Sequence, residues 1–244
     1  AMKTLSSCLL ALMLAFPAAA ETLTVAADPW PPFVNEDHEE GGVALAIIRE
    51  ALSRSGYDVE LRIMPWARAE DGVRSGDYDI LPGTWYTEER AKELRYSEPY
   101  VTNEVKFIKR ADDGFEYSGM DSLTGKTVGI IRDYGYGEKF YSAGNFNREA
   151  AGDLMTNIRK LVNGRVDLAI EDELVARFLI NQEDPSLIKQ IEFVDPPYSA
   201  NDLHLTSGRA NPKSEAIVKA FNEGLAAMQE DGTFDAIMSE NNLQ

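Results

Sequence analysis

At 244 residues the chain is long enough for one large domain or for two lobes. Its 41 acidic against 24 basic residues give a formal charge of -17, which argues against nucleic acid as a partner, because neutralising phosphates needs a basic face. An apolar content of 44% is ordinary for a globular protein, and the acidity favours a soluble, mutually repelling one.

The first twenty residues read as a cleavable secretory signal. Lys3 supplies the positive start, Leu9 to Phe16 the apolar core, and Ala18-Ala19-Ala20 the small-residue cleavage site. That core is too short to span a bilayer. Cys8 is the single cysteine. It stands ahead of the apolar core, whereas a lipidation box follows one. The mature chain therefore has no cysteine, which excludes disulfides, thiolate metal sites and a cysteine nucleophile.

Leu23 to Ala27 is a short apolar strand ending at Asp28. Pro29-Trp30-Pro31-Pro32-Phe33 follows, which is irregular because proline fixes φ and removes a donor. Asp28 and Trp30 are thus held on a stiff turn at a strand end. By themselves, Asp28 reads as a turn-forming residue and Trp30 as a plug over the sheet. The acidic loop Asn35 to Glu40, with His38, lacks the spacing of a calcium loop and reads as solvated.

Gly42 to Ser55 has the periodicity of an amphipathic helix closed by Gly56, and Tyr57 to Met64 alternates as a strand. Pro65 opens a second helix carrying Trp66 and Arg68 towards Gly76. Arg68 reads either as a helix-face residue or as one reaching a cleft. The order β-α-β-α-β implies parallel pairing with right-handed crossovers. A buried run from Asp79 to Leu81 is expected to break at Pro82 and Gly83. Thr87, with Glu88 and Glu89 after it, then starts a short helix, since threonine caps and acids suit the first turn. Arg90 is fixed at the base of that helix beside a strand end, where open α/β sheets bind ligands. Its planar fork suits one carboxylate.

Val101 to Ile108 reads as a strand leaving the first lobe, and Arg110 to Met120 as irregular. Leu123 to Ile131 is a turn plus buried strand. Arg132-Asp133-Tyr134-Gly135-Tyr136-Gly137 then places glycines between a strand and a helix, where free N–H groups can face an anion. Met155 to Val162 is helical, Val166 to Ile170 a strand ending in Glu171-Asp172, and Glu173 to Ile180 a helix. After the strand Ile191 to Val194, Asp195 to Asn201 forms a second boundary. The strand Leu203 to Thr206 returns to the first lobe, with His204 as a packed or hydrogen-bonded residue. The segment Lys213 to Glu240 is helix, Asp231-Gly232 turn, helix.

Gly76-x-x-Asp79, Thr87-x-x-Arg90, Tyr96-Ser97-x-Pro99-Tyr100, Leu123-x-Gly125-Lys126-x-Val128-Gly129 and Gly164-x-x-Asp167-x4-Asp172 occur in that order. Together they resemble periplasmic solute-binding proteins of the polar amino-acid transporter class, across most of residues 21 to 240. The resemblance implies an α/β, type II periplasmic binding protein-like fold: two lobes, each a mixed sheet flanked by helices, joined by two hinge crossings. Residues 21–108 with 199–244 would form a discontinuous first lobe and 109–198 the second. It implies that Arg90 clamps a ligand carboxylate and Asp172 its ammonium, the latter with Asp28 and the Gly83 carbonyl. Trp30, Trp85 and Tyr134 would form an aromatic wall, Gly135 would add backbone donors, and Glu171 would touch the ligand side chain.

Trp85 departs from the pattern, since a small hydroxyl residue often stands there. Arg132 also departs, where relatives often have a lysine or serine at the strand end. The implied function is periplasmic capture of a small zwitterion, an amino acid or analogue, by a monomer that delivers it to an inner-membrane ABC permease, with no cofactor or metal. Two alternatives share the fold: a dehydratase-like enzyme with Glu171 as proton donor, and a sensory protein signalling to a membrane receptor.

Overall fold

The computed structural model describes residues 20–132, 135–241 and 243. The expected signal segment therefore lies outside the described residues, as does Tyr134, except that Ala20 is described as exposed coil. No helix among the described residues is long and apolar enough to cross a membrane.

The first lobe begins β1 (Glu21–Ala27), α1 (Val43–Ser53), β2 (Tyr57–Ile63), α2 (Trp66–Ser75), β3 (Leu81–Trp85) and α3 (Glu88–Ala91). β1 and β2 pair in parallel, and Val25 bridges Ile80 in the same sense, as a βαβ order requires. β3 differs from expectation. It runs straight through Pro82 and Gly83, with an irregularity in its register between Leu81 and Thr84 against β9 (Ser199–Gly208). A proline at a strand bulge forfeits no regular ladder bond, which is why it is tolerated there.

β4 (Leu94–Arg110) is also much longer than the expected Val101 to Ile108. Its seventeen residues span roughly 55 Å at about 3.3 Å each. It pairs antiparallel with β9 from Leu94 to Val105 and with β7 (Leu168–Asp172) from Val105 to Ile108. β4 and β9 thus carry the chain out of the first lobe and back. Between them lie β5 (Thr127–Ile131), α4 (Glu138–Ser142), β6 (Asn147–Ala151), α5 (Leu154–Val162), α6 (Glu173–Glu183) and β8 (Ile191–Phe193). The sheet order is β3-β9-β4-β7-β5-β6, with β8 beside β4. α4 and β6 carry too short and too polar a pattern to stand out in the sequence.

Three apolar clusters account for most of the burial. In the first lobe, Leu23, Val25, Ile47, Ile48 and Phe33 pack with Phe221 and Met228 of α7 (Ser214–Asp231). In the second, Phe107, Phe140, Leu168 and Ile170 lie on one face of the sheet, and Ile158, Leu161, Ala169 and Ile180 on the other. β7, antiparallel to β4 and parallel to β5, is covered on both faces and is buried along its whole length, as a central strand with helices or loops on both faces must be. The closing helix α8 (Thr233–Glu240) packs Phe234 and Ile237 on the first lobe.

Each lobe uses the Gly-x-x-Asp motif in the same way. Gly76 ends α2 and Gly164 follows α5, with φ of 86° and 70°; this left-handed conformation costs glycine nothing. Three residues on, Asp79 Oδ2 accepts from Thr24 N and Asp167 Oδ2 from Thr127 N, both at 2.8 Å. The two acids tie off the first strand of each lobe and are structural.

Candidate functional site

Arg90 sits as its motif demands. Its backbone N–H donates to Thr87 Oγ1 at 3.1 Å, which fixes the first turn of α3 against the end of β3. The side chain is only 27% exposed. Nε donates to Glu70 Oε1 at 3.0 Å, and the fork lies 5.3 Å from the centre of the Trp66 ring. It borders a cavity of about 260 Å³ with Asp28, Trp30, Trp66, Gly83 and Trp85.

A second cavity, about 430 Å³, lies between the lobes and is lined by Asp28, Trp30, Trp85, Gly135, Tyr136, Glu171, Asp172 and Tyr198 among others. Asp28, Trp30 and Trp85 belong to both, so the two cavities are neighbouring parts of one cleft. The Trp30 and Trp85 rings meet edge to face at 6.2 Å, a favourable aromatic geometry. Trp85 remains 38% exposed and donates Nε1–H to Asn103 Oδ1 at 3.1 Å.

The floor of this second cavity is acidic. Asp172 ends β7 and caps α6, its Oδ1 accepting from Val175 N at 3.0 Å; Glu171 Oε1 accepts from Asp172 N at 2.9 Å. Both side chains are buried, and Glu171 Oε2 and Asp172 Oδ2 have no hydrogen-bond partner among the described residues. A buried carboxylate without a partner is costly to keep charged. Burial accordingly pushes the Glu171 carboxyl up to about 8, with the neighbouring Asp172 adding to the rise against the Asp172 N–H bond. Burial raises Asp172 too, opposed chiefly by the Val175 N–H, and raises the half-buried Asp28. Among the described residues no group of three or more His, Cys, Asp or Glu is placed to hold a metal ion.

A cleft between two lobes, a strand-end arginine and a helix-capping acid on the other side are joined by a sequence-wide match. The chain matches the bacterial extracellular solute-binding proteins, family 3, over residues 23–242. It belongs to that family.

Among relatives of this solute-binding protein, the arginine-binding extracellular protein ArtP of Bacillus subtilis is 23% identical over 210 residues, covering 82% of this chain and 79% of that one. The L-cystine-binding protein TcyJ of Escherichia coli is 24% identical over 213 residues, covering 85% and 77%. The unliganded, open L-cystine solute receptor of Neisseria gonorrhoeae superposes with a TM-score of 0.75 at 19% identity, covering 92% of this chain and 94% of that one.

Of the residues singled out in this solute-binding protein's sequence, the structure brings Asp28, Trp30, Gly83, Trp85, Arg90, Gly135, Glu171 and Asp172 to the cleft. Arg68 lies elsewhere, in an outer groove with Asp77 and Tyr78. His204 is a packed residue, its Nδ1 2.8 Å from Ser97 O. The sequence reading missed Glu70, Asn103, Tyr136 and Tyr198. Glu70 carried a usable signal: it follows Trp66 by four residues, and on a helix that places both on one face. Tyr198 reaches the cleft, and the buried Asn103 meets the Trp85 indole, only because of how β4 and β9 pair across the lobes, which no local pattern announces.

Proposed function

We propose that the chain captures a small α-amino acid or close analogue in the periplasm, between lobes formed by residues 21–108 with 199–244 and by residues 109–198, and delivers it to an inner-membrane ABC permease. The observation that carries this reading is that Arg90 and Asp172, from different lobes, flank one continuous cleft through Asp28, Trp30 and Trp85. In this pose Arg90 binds the α-carboxylate. The unpartnered Asp172 Oδ2 receives the α-ammonium, with the Gly83 carbonyl and Asp28 beside it. Trp30 and Trp85 cover the ligand, Glu171 and Gly135 contact its distal end, and no cofactor is needed.

Each charge-assisted hydrogen bond contributes roughly 1.5–3 kcal/mol net. Because the two clamps come from different lobes, a ligand that touches both favours the closed form by its differential affinity for that form. The paired segments of β4 and β9 are where the closure would bend. Relatives named for binding arginine and cystine support an amino-acid ligand, and the family's extracellular character supports a periplasmic location.

The test is a thermal-shift screen against the amino acids, followed by calorimetry with the best ligand on the wild type and on Arg90→Ala. A binding amino acid stabilises the fold by roughly 2.7 kcal/mol at a hundredfold excess over its Kd. Arg90→Ala should cost about 2–5 kcal/mol of affinity. Undiminished affinity in that variant removes the carboxylate clamp.

One observation favours a second reading, a dehydratase-like enzyme. Glu171 is buried, borders the cleft and holds its proton near neutral pH, which are the needs of a general acid. Consumption of a prephenate-like cyclohexadienyl acid, abolished by Glu171→Gln, would decide for it.

A further inference from the structure

We infer that the floor of the cleft is a second cation site: Glu171, with Asp28 lining the same cavity, receives a positively charged side-chain end of the ligand, so that the preferred ligand is a basic α-amino acid. The inference rests on the reading of Arg90 and Asp172 as the clamps for the α-carboxylate and α-ammonium.

The acids outnumber what a simple zwitterion can satisfy. Glu171 is 4% exposed and Asp172 6%, and each leaves one buried oxygen without a partner among the described residues. An α-ammonium seated on Asp172 still leaves Glu171 Oε2 bare. No Lys, Arg or His is among the described residues lining the larger cavity. Lys106, on the neighbouring strand, is committed to Glu104, Glu173 and Asp195 at 2.9, 2.7 and 2.8 Å. Arg90, in the smaller cavity, already has Glu70. Glu171 can therefore stay neutral only by holding a proton, or become charged when a cation arrives with the ligand.

The walls suit such a cation. Trp30, Trp85, Tyr136 and Tyr198 line the same cavity, and aromatic faces attract ammonium and guanidinium groups. The volume of about 430 Å³ lies within the range of small-molecule sites.

The decisive experiment is calorimetry at pH 7.5 with L-arginine, its neutral near-isostere L-citrulline, and 1,4-diaminobutane, on the wild type and on Glu171→Gln. The variant keeps the shape and the Oε1 acceptor for Asp172 N, and its melting curve reports whether it folds. L-arginine should bind on the order of a hundredfold tighter than L-citrulline, since the difference is one buried, paired charge. Glu171→Gln should bring the ratio to within about threefold, chiefly by weakening L-arginine.

Equal affinities in the wild type overturn the cation site and leave the zwitterion reading standing. A wild-type preference that survives Glu171→Gln overturns the assignment to Glu171. Binding of the diamine but of neither amino acid upholds the cation site and rejects the carboxylate clamp. Failure of all three overturns both.

Discussion

Arg90 Nε and Glu70 Oε1 lie 3.0 Å apart, with Glu70 only 17% exposed. The guanidinium of the cleft is therefore held by a carboxylate on a neighbouring helix, and stacked on Trp66, before any ligand arrives. This fixes the fork, at the cost of offsetting part of its charge. Glu70→Gln keeps the acceptor oxygen and removes the opposing charge. Affinity for a carboxylate ligand should tighten by about 1 kcal/mol, since a charge a few ångströms away in a partly screened site acts at an effective dielectric near 20. Glu70→Ala should instead weaken binding, because the fork loses its support. Calorimetry on the two variants separates charge from positioning.

Glu171 makes the unliganded protein sensitive to mild alkali. Its carboxyl is raised from the ordinary 4.5 to about 8. Between those values the folded state holds a proton that the unfolded chain has released. The stability contributed is complete below about pH 4.5 and falls as pH rises through about 8, by up to roughly 1.4 kcal/mol per pH unit. Asp172 and Asp28, shifted in the same direction by burial, act in the same sense. The difference in unfolding free energy between wild type and Glu171→Gln, measured in urea at pH 5.5 and 8.5, should change by a few kcal/mol against the wild type. A flat difference means that Glu171 is charged throughout.

Trp85 should separate binding from folding. The indole is 38% exposed, and its Nε1–H reaches the buried Asn103. Trp85→Ala removes an aromatic cover from the ligand but little buried surface from either core. Affinity should fall by about 1–3 kcal/mol, while the melting temperature without ligand should change by only a few degrees.

Gly224 should do the reverse. On α7, its place against α1 is so close that a Cβ would collide with the backbone carbonyl of Ala51. A backbone atom cannot swing aside as a side chain can. Gly224→Ala should force the helices apart and cost about 1–3 kcal/mol or more of stability, with ligand affinity at a permissive temperature unchanged. Chemical denaturation and calorimetry on one preparation check both halves.

Closure itself is measurable. If Arg90 and Asp172 grip one ligand, saturating amounts should shrink the radius of gyration in small-angle scattering, and Asp172→Asn should blunt the change. An unchanged radius at saturation would show that binding is confined to one lobe.

Much of this was legible in the residues themselves. Thr87-x-x-Arg90 dictated a capped turn carrying an arginine, and Asp28 before a proline run dictated an acid on a stiff strand end, because capping and proline geometry act within a few residues. Gly-x-x-Asp in each lobe was visible as a motif; its meaning, an aspartate closing the first strand's N–H, was not. The strands β3 and β4 were read too short, since Pro82 and the mixed run Leu94 to Tyr100 look like interruptions until β9 supplies the pairing partner.

The sequence by itself determined most of the elements, their order, and which acids and which arginine stand at their ends, because these follow from local backbone chemistry. Only the tertiary structure decided that Glu70 would restrain Arg90, that Trp85 would lean on Asn103, and that Glu171 and Asp172 would be buried with one oxygen bare. Those outcomes depend on contacts between segments tens of residues apart and on the exclusion of water from the space they enclose.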